Sequence, residues 1–257
     1  MFIINRGIVI LLFSAFLYAE STENQFQLLK ASQNIRIASQ KIAKNYLYYY
    51  ANPKKTRFKD LAETELKDLD KEYKAISGST NNEESKDILT FLDYSRETME
   101  EVFNDPFSKD NPPLMLDYSE VILEGAESIN NNIKYVPSVK EGVLIKIHDI
   151  SFLIERLTKY YMAILIDNSA INYTEILNDA IKKIEDSLSL ISKHNYNCKT
   201  IALLTKVKND WQILKKYYIQ YNEMKIQHII LLASSKVEKD ISSLSASIED
   251  DQKIEKK

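Results

Sequence analysis

From residue 27 onward, apolar side chains recur in alternating steps of three and four. Leu28, Ala31, Ile35, Ala38, Ile42 and Asn45/Tyr46 form one stripe, the near-heptad seam of an amphipathic helix. Ser21/Thr22, with Glu23 in the first turn, predict its start, and Pro53 predicts its end. A second helix is expected over 56–77 from Phe58, Leu61, Leu66, Leu69, Tyr73 and Ile76, closed by Gly78 and the polar run behind it. The third spans 83–103 and breaks at the Pro-rich stretch 105–113. Further helices follow over 114–135, 138–168, 173–193 and 200–235, and residues 241–257 read as a charged tail. The pattern predicts an all-α, elongated up-and-down helical bundle.

The pattern also repeats. At one fixed offset of 115 residues, Lys44 falls on Lys159, Tyr46 on Tyr161, Lys67 on Lys182, Ile76 on Ile191, Ser77 on Ser192 and Leu89 on Leu204. Lys41 meets Arg156, Leu69 meets Ile184, Met99 meets Leu214 and Phe103 meets Tyr218 as conservative pairs. One matched helix would mean little, because any two amphipathic helices can be slid into agreement. This offset crosses two interhelical turns without a gap, so we expect two tandem copies of a three-helix unit, about 25–104 and 140–219, within one domain over 20–240.

Composition supports the helical reading. Four glycines in 257 residues are too few for sheets with tight hairpins. The first residues, MFIINRGIVILLFSAFLYAES, carry one basic residue, an apolar run over 8–17 and Ala19 at a cleavage edge, so residues 1–19 read as a secretory signal peptide. The protein is therefore expected in the periplasm or secreted, with an uncleaved N-terminal anchor as the competing reading. Loss of residues 1–19 removes Arg6 and no acid, moving the net charge from −3 to −4, which suggests neither a nucleic acid nor an anionic membrane as partner. With Cys198 alone, the fold is held by packing and not by an intramolecular disulfide.

One polar cluster interrupts the first helix. Ser32, Arg36, Ser39 and Ala43 are spaced four, three and four apart, beside the seam. Arg36 offers a planar fork of donors suited to carboxylates and oxyanions, Ser39 and Gln40 add neutral donors, and Lys41 adds a second positive charge. The run NIRIASQKIAK, 34–44, resembles the Arg-Met-x-Ser-Gln-Arg-x-Ala-Lys pattern of the PilJ-type sensor domain of type IV pilus methyl-accepting chemotaxis transducers. It is similar too to the P-box of nitrate/nitrite sensor kinases, and WQILKKYY, 211–218, resembles a Trp-containing helix of the PilJ type. The resemblance covers about 25–221. It implies a helical sensor with Arg36 on the arginine that contacts an anion, nitrate or nitrite, at a dimer interface, and Lys41 on the second basic residue. The chain departs from the pattern at Ser32, Gln33 and Asn34, where a glycine is usual. In its second copy, Ser151, Ile154 and Glu155 replace Arg36, Ser39 and Gln40.

The same arginine has a purely structural alternative: an ion pair with Asp149 or Glu155 from the second copy. The tyrosines at 46, 48–50, 160, 161, 217 and 218 are expected to be core and interface residues before an aromatic ligand cage. No nucleotide, hydrolase or zinc-protease motif is present, and His148, His194 and His228 lack the spacing of a bundle metal site. We expect a non-enzymatic protein without cofactor. It would be an exported sensor holding a small anion at Ser32, Arg36, Ser39, Gln40 and Lys41, working as a homodimer and reporting to a membrane-bound receptor. Alternatively, it would be a structural or protein-interaction module of the envelope or type IV pilus with a degenerate site.

Overall fold

A computed structural model describes residues 6–167, 172–221 and 226–251, with side chains from residue 24 onward. These residues form helices α1 (Arg6–Ala51), α2 (Arg57–Ser79), α3 (Glu83–Asn104), α4 (Asn111–Asn132), α5 (Val139–Ile166), α6 (Tyr173–Ile191), α7 (Cys198–Ile219) and α8 (Gln227–Asp250), with no strand among them. The all-α bundle expected from the apolar spacing is the observed fold. The signal-peptide reading of residues 1–19 falls on side chains outside the described residues; the backbone from Arg6 continues α1 without a start at Ser21/Thr22. No proline, and no glycine after Gly7, interrupts that stretch before Pro53, so nothing local forces a break. Among the described residues no helix is long and apolar enough to cross a membrane.

The main packings trace two closed rings: α1 on α2 and α4 with α3 against both, and α5 on α6 and α8 with α7 against both. A further seam, α1 on α5, joins the rings. Each ring has four helices, not the expected three. The 115-residue offset carries from the α3 start at Glu83 to the α7 start at Cys198, and from the α4 start at Asn111 to within one residue of the α8 start at Gln227. Ser119 of α4 falls on Ser234 of α8, both fully buried, and Met115, Ile122 and Ile129 fall on the buried Ile230, Val237 and Leu244. The expected seventh helix over 200–235 is therefore α7 and the start of α8. The expected charged tail begins inside α8, where Ile241, Leu244 and Ile248 are core residues.

Local signals set the helix ends. Asn82 and Asn197, 115 residues apart, each accept a backbone N–H through the side chain, from Ser85 and Thr200, at the starts of α3 and α7. Ser138 and Glu141 form a reciprocal capping box on α5, and Pro112 and Pro113 lie in the first turn of α4, where a missing N–H costs nothing. Two hydrophobic cores result. Leu28, Ile35, Ile42 and Tyr46 of α1 fill the first, whereas Ile37, Leu47 and Tyr48 of the same helix join the second, so α1 is apolar on two faces. Tyr46, Tyr161 and Tyr218 are fully buried, and Trp211 fills the second core.

Candidate functional site

The seam α1·α5 brings equivalent helices side by side in the same direction, since Arg36 lies against Asp149 and Phe152 while Lys44 reaches Glu155. Two clefts flank it, each of about 500 Å³. The first lies among α1, α4, α5 and α6, and the second among α1, α2, α5 and α8. Ten lining positions of the first correspond to lining positions of the second under the 115-residue exchange. Arg36, Glu127, Phe152, Arg156 and Asp186 line the first; Ser151, Ser242, Ile37, Lys41 and Lys71 stand at the matching places in the second.

Arg36 lies in the wall of the first cleft, with its side chain 16% exposed. Its Nη1 is 3.2 Å from Asp149 Oδ1 and its Nη2 is 3.4 Å from Glu127 Oε1. The guanidinium carbon lies 4.3 Å from the centroid of the Phe152 ring, and Nε has no hydrogen-bond partner among the described residues. The ion pair with Asp149 is the structural alternative drawn from the sequence. Charge in the cleft is balanced: Arg36, Lys146, Arg156 and Lys183 face Glu127, Asp149, Asp179 and Asp186.

The other expected site residues do not converge on Arg36. Ser32 Oγ donates to Leu29 O (3.0 Å) and to Asn130 Oδ1 of α4 (3.3 Å). Ser39 Oγ donates back to Arg36 O at 2.8 Å, and Gln40 Nε2 donates to Ser39 Oγ at 3.0 Å; both residues are fully buried. Lys41 points into the opposite cleft and pairs with Glu65 at 3.6 Å. Five residues turn a helix through about 140°, so Arg36 and Lys41 cannot share one face. Burial works against the Lys41 ammonium, but Glu155, Glu65 and Glu238 outweigh it and hold its pKa above the ordinary lysine value.

The cation that does accompany Arg36 is Arg156, the position equivalent to Lys41 in the second half. Its guanidinium lies 5.8 Å from the Phe152 centroid and is paired with Glu120 at 2.9 Å. Glu120 also holds Lys159, which is completely buried and donates to Ser119 Oγ at 3.1 Å. Burial drives the Lys159 ammonium down to about 8, with Glu120 opposing. Burial would raise the Glu120 carboxyl, but Lys159 and Arg156 reverse that and hold it below the usual range. Conserved sign at 41 and 156 was visible in the repeat; that each cation serves the cleft containing the other half's position 36 was not.

No family model matches the chain, and no curated protein or solved structure does. The cleft is thus described by its own chemistry. Among the described residues no group of three or more His, Cys, Asp or Glu side chains is placed to hold a metal ion. Most charged residues of the first cleft are held in ion pairs, Arg36 with Glu127 and Asp149, Lys146 with Asp149, Lys183 with Asp179, and Arg156 with Glu120 behind the cleft, an arrangement that stabilises contacts between helices.

Proposed function

We propose that the chain is an exported, non-enzymatic helical module of the cell envelope, built by duplication, that works through protein contacts and keeps the sensor-type polar cluster as internal structure. The observation that carries this reading is the clasp on Arg36: two carboxylates take its Nη groups and an aromatic ring stacks on it, leaving only Nε without a partner. A candidate contact face lies on α3, where Phe91 and Tyr94, three residues apart on one side, are 59% and 62% exposed. The tyrosine clusters do not supply such a face, since Tyr46, Tyr48, Tyr161 and Tyr218 are core residues. Isothermal calorimetry of the protein with nitrate, nitrite and small carboxylates tests the reading, with no heat expected from any of them. Saturable heat with one anion, lost in Arg36→Ala, would overturn it.

A second reading rests on a separate observation. Arg36 and Arg156, one from each half, flank the same Phe152 ring in an open cleft, and Glu127, the outer partner of Arg36, is 47% exposed. A small anion that displaced Glu127 would bridge the two guanidiniums, and the resemblance to PilJ-type sensors suggests nitrate or nitrite. In this reading the internal seam takes the place of a homodimer interface, and binding would tighten one half against the other for a membrane-bound receptor to detect. The same calorimetry separates the two readings.

A further inference from the structure

The second cleft resolves its buried charge differently from the first. Where the first has Arg36, the second has Ser151, whose Oγ donates to Glu238 Oε2 of α8 at 2.5 Å. Glu238 Oε1 is enclosed and has no hydrogen-bond partner among the described residues. Two ammonium groups reach this part of the seam, and each is engaged by another carboxylate: Lys44 by Glu155 at 2.5 Å and Lys41 by Glu65 at 3.6 Å. Three carboxyls therefore share two cations, and the one left over is Glu238. Ionising it puts a second buried negative charge beside Glu155, which costs free energy that a serine hydroxyl cannot offset.

We propose that Glu238 is a proton-binding switch in the seam: protonated, it lets α8 dock against α1 and α5, and on losing the proton it loosens that docking and opens the second cleft. A proton here takes the place of a cation, neutralising a carboxyl oxygen that packing has enclosed. Burial first, and Glu155 second, push the Glu238 carboxyl up to about 8, against weaker opposition from Ser151, Lys41 and Lys44. The surrounding charges do not supply the missing cation. From α2 the cleft receives Glu65, Asp68, Lys71 and Glu72, from α5 it receives His148, and Glu155 lies behind it in the seam, paired with Lys44. Lys71 is taken by Asp68 at 2.6 Å, and Lys30 of α1 by Glu249 at 3.2 Å. On the far side of α8, Lys206 and Asp210 of α7 engage Asp240 and Lys236 and face away from Glu238.

The pH window follows from the sign of the shift. The folded chain keeps a proton that the unfolded chain releases above the ordinary glutamate range, so folding loses stability as pH rises toward 8. The slope is at most a tenfold fall in the folding constant per pH unit, the signature of one proton. His148 is pushed down, by burial first and Lys30 second, and Lys159 is pushed down by burial, so each makes folding gain stability as pH rises, the opposite sign to Glu238. Glu65 and Glu72 of the same cleft are also raised by burial, so the fall is assigned to Glu238 by its own substitution. The experiment is urea unfolding of the full chain at steps from pH 6.5 to 8, for wild type and Glu238→Gln. We expect the wild-type midpoint to fall across this range and the Glu238→Gln midpoint to stay level or rise. Carboxyl-carbon NMR of the glutamate-labelled wild type gives a readout that needs no variant: one side-chain carboxyl should titrate near 8, and in Glu155→Gln, which frees Lys44, its midpoint should drop. A level wild-type midpoint, an unchanged slope in Glu238→Gln, or no carboxyl titrating above the ordinary range would overturn the proposal.

Discussion

Replacing Arg36 with alanine removes three contacts at once, and the structure sets their sizes. The partners Glu127 and Asp149 have side chains 47% and 25% exposed, so solvent screens both ion pairs and each is worth about 0.2–1 kcal/mol. Stacking on Phe152 adds about 0.5–1 kcal/mol, and the buried methylene stem contributes packing that alanine cannot replace. Together these give a loss of about 1.5–3 kcal/mol. In a chain of this size each kcal/mol shifts the melting temperature by about 2–4 °C, so Arg36→Ala should melt about 3–12 °C below wild type by scanning calorimetry. Arg36→Lys, which keeps the charge and loses the planar fork, should fall between them. A melting temperature unchanged within about 1 °C would refute the idea that Arg36 is a strut.

Two further substitutions probe the framework. The pair Lys44–Glu155 is buried at both ends, with side chains 6% and 2% exposed; Lys44→Met alone, which leaves Glu155 without its cation, should cost about 3–5 kcal/mol, and adding Glu155→Leu should recover much of it, as read by urea unfolding. A double variant no more stable than the single would show that the seam depends on the pair itself. A Cβ at Gly125 would sit 2.4 Å from Leu92 Cδ2 in the α3·α4 contact, and Leu92 is fully buried with no room to retreat. Gly125→Ala should therefore lose about 1–2 kcal/mol despite its better helix propensity, and in a Leu92→Ala background the same change should become neutral or stabilising in chemical denaturation.

The repeat illustrates how far pattern reading reaches. Local signals of high contrast, such as Pro53, Gly78 and the Pro-rich stretch 105–113, placed the ends of α1 to α3 within about two residues, the usual scatter of helix boundaries. The fourth helix of each unit went unrecognised as such. Between α7 and α8 the chain carries no glycine or proline to mark a turn, so the apolar spacing ran on through 219–227. Packing separates α7 from α8, because each lays an apolar face on the second core. The same limit applied to the polar cluster. Ser32 and Arg36 share a face, as the four-residue spacing required, and both turn toward α4. Lys41 was grouped with them by adjacency in sequence, although helical geometry alone separates it from Arg36 by about 140°.

Glu238 shows the complementary limit. In sequence it is one acid among many on a charged helix, with no motif around it and no partner suggested by spacing. Its distinction comes from where α8 lands: beside Ser151 instead of an arginine, next to Glu155, and with Lys41 and Lys44 already engaged. Sequence periodicity determined the helices, their apolar stripes and the offset that relates the two halves, because these depend on short-range spacing that the chain carries everywhere. Which charges meet across the seam, which cleft receives Arg36 and which receives Lys41, and which carboxyl is left without a cation were decided only by the packing of α1, α5 and α8. Those contacts join distant residues, 113 positions apart for Arg36 and Asp149 and 87 for Ser151 and Glu238, and no local rule of spacing ranks one such partner above another.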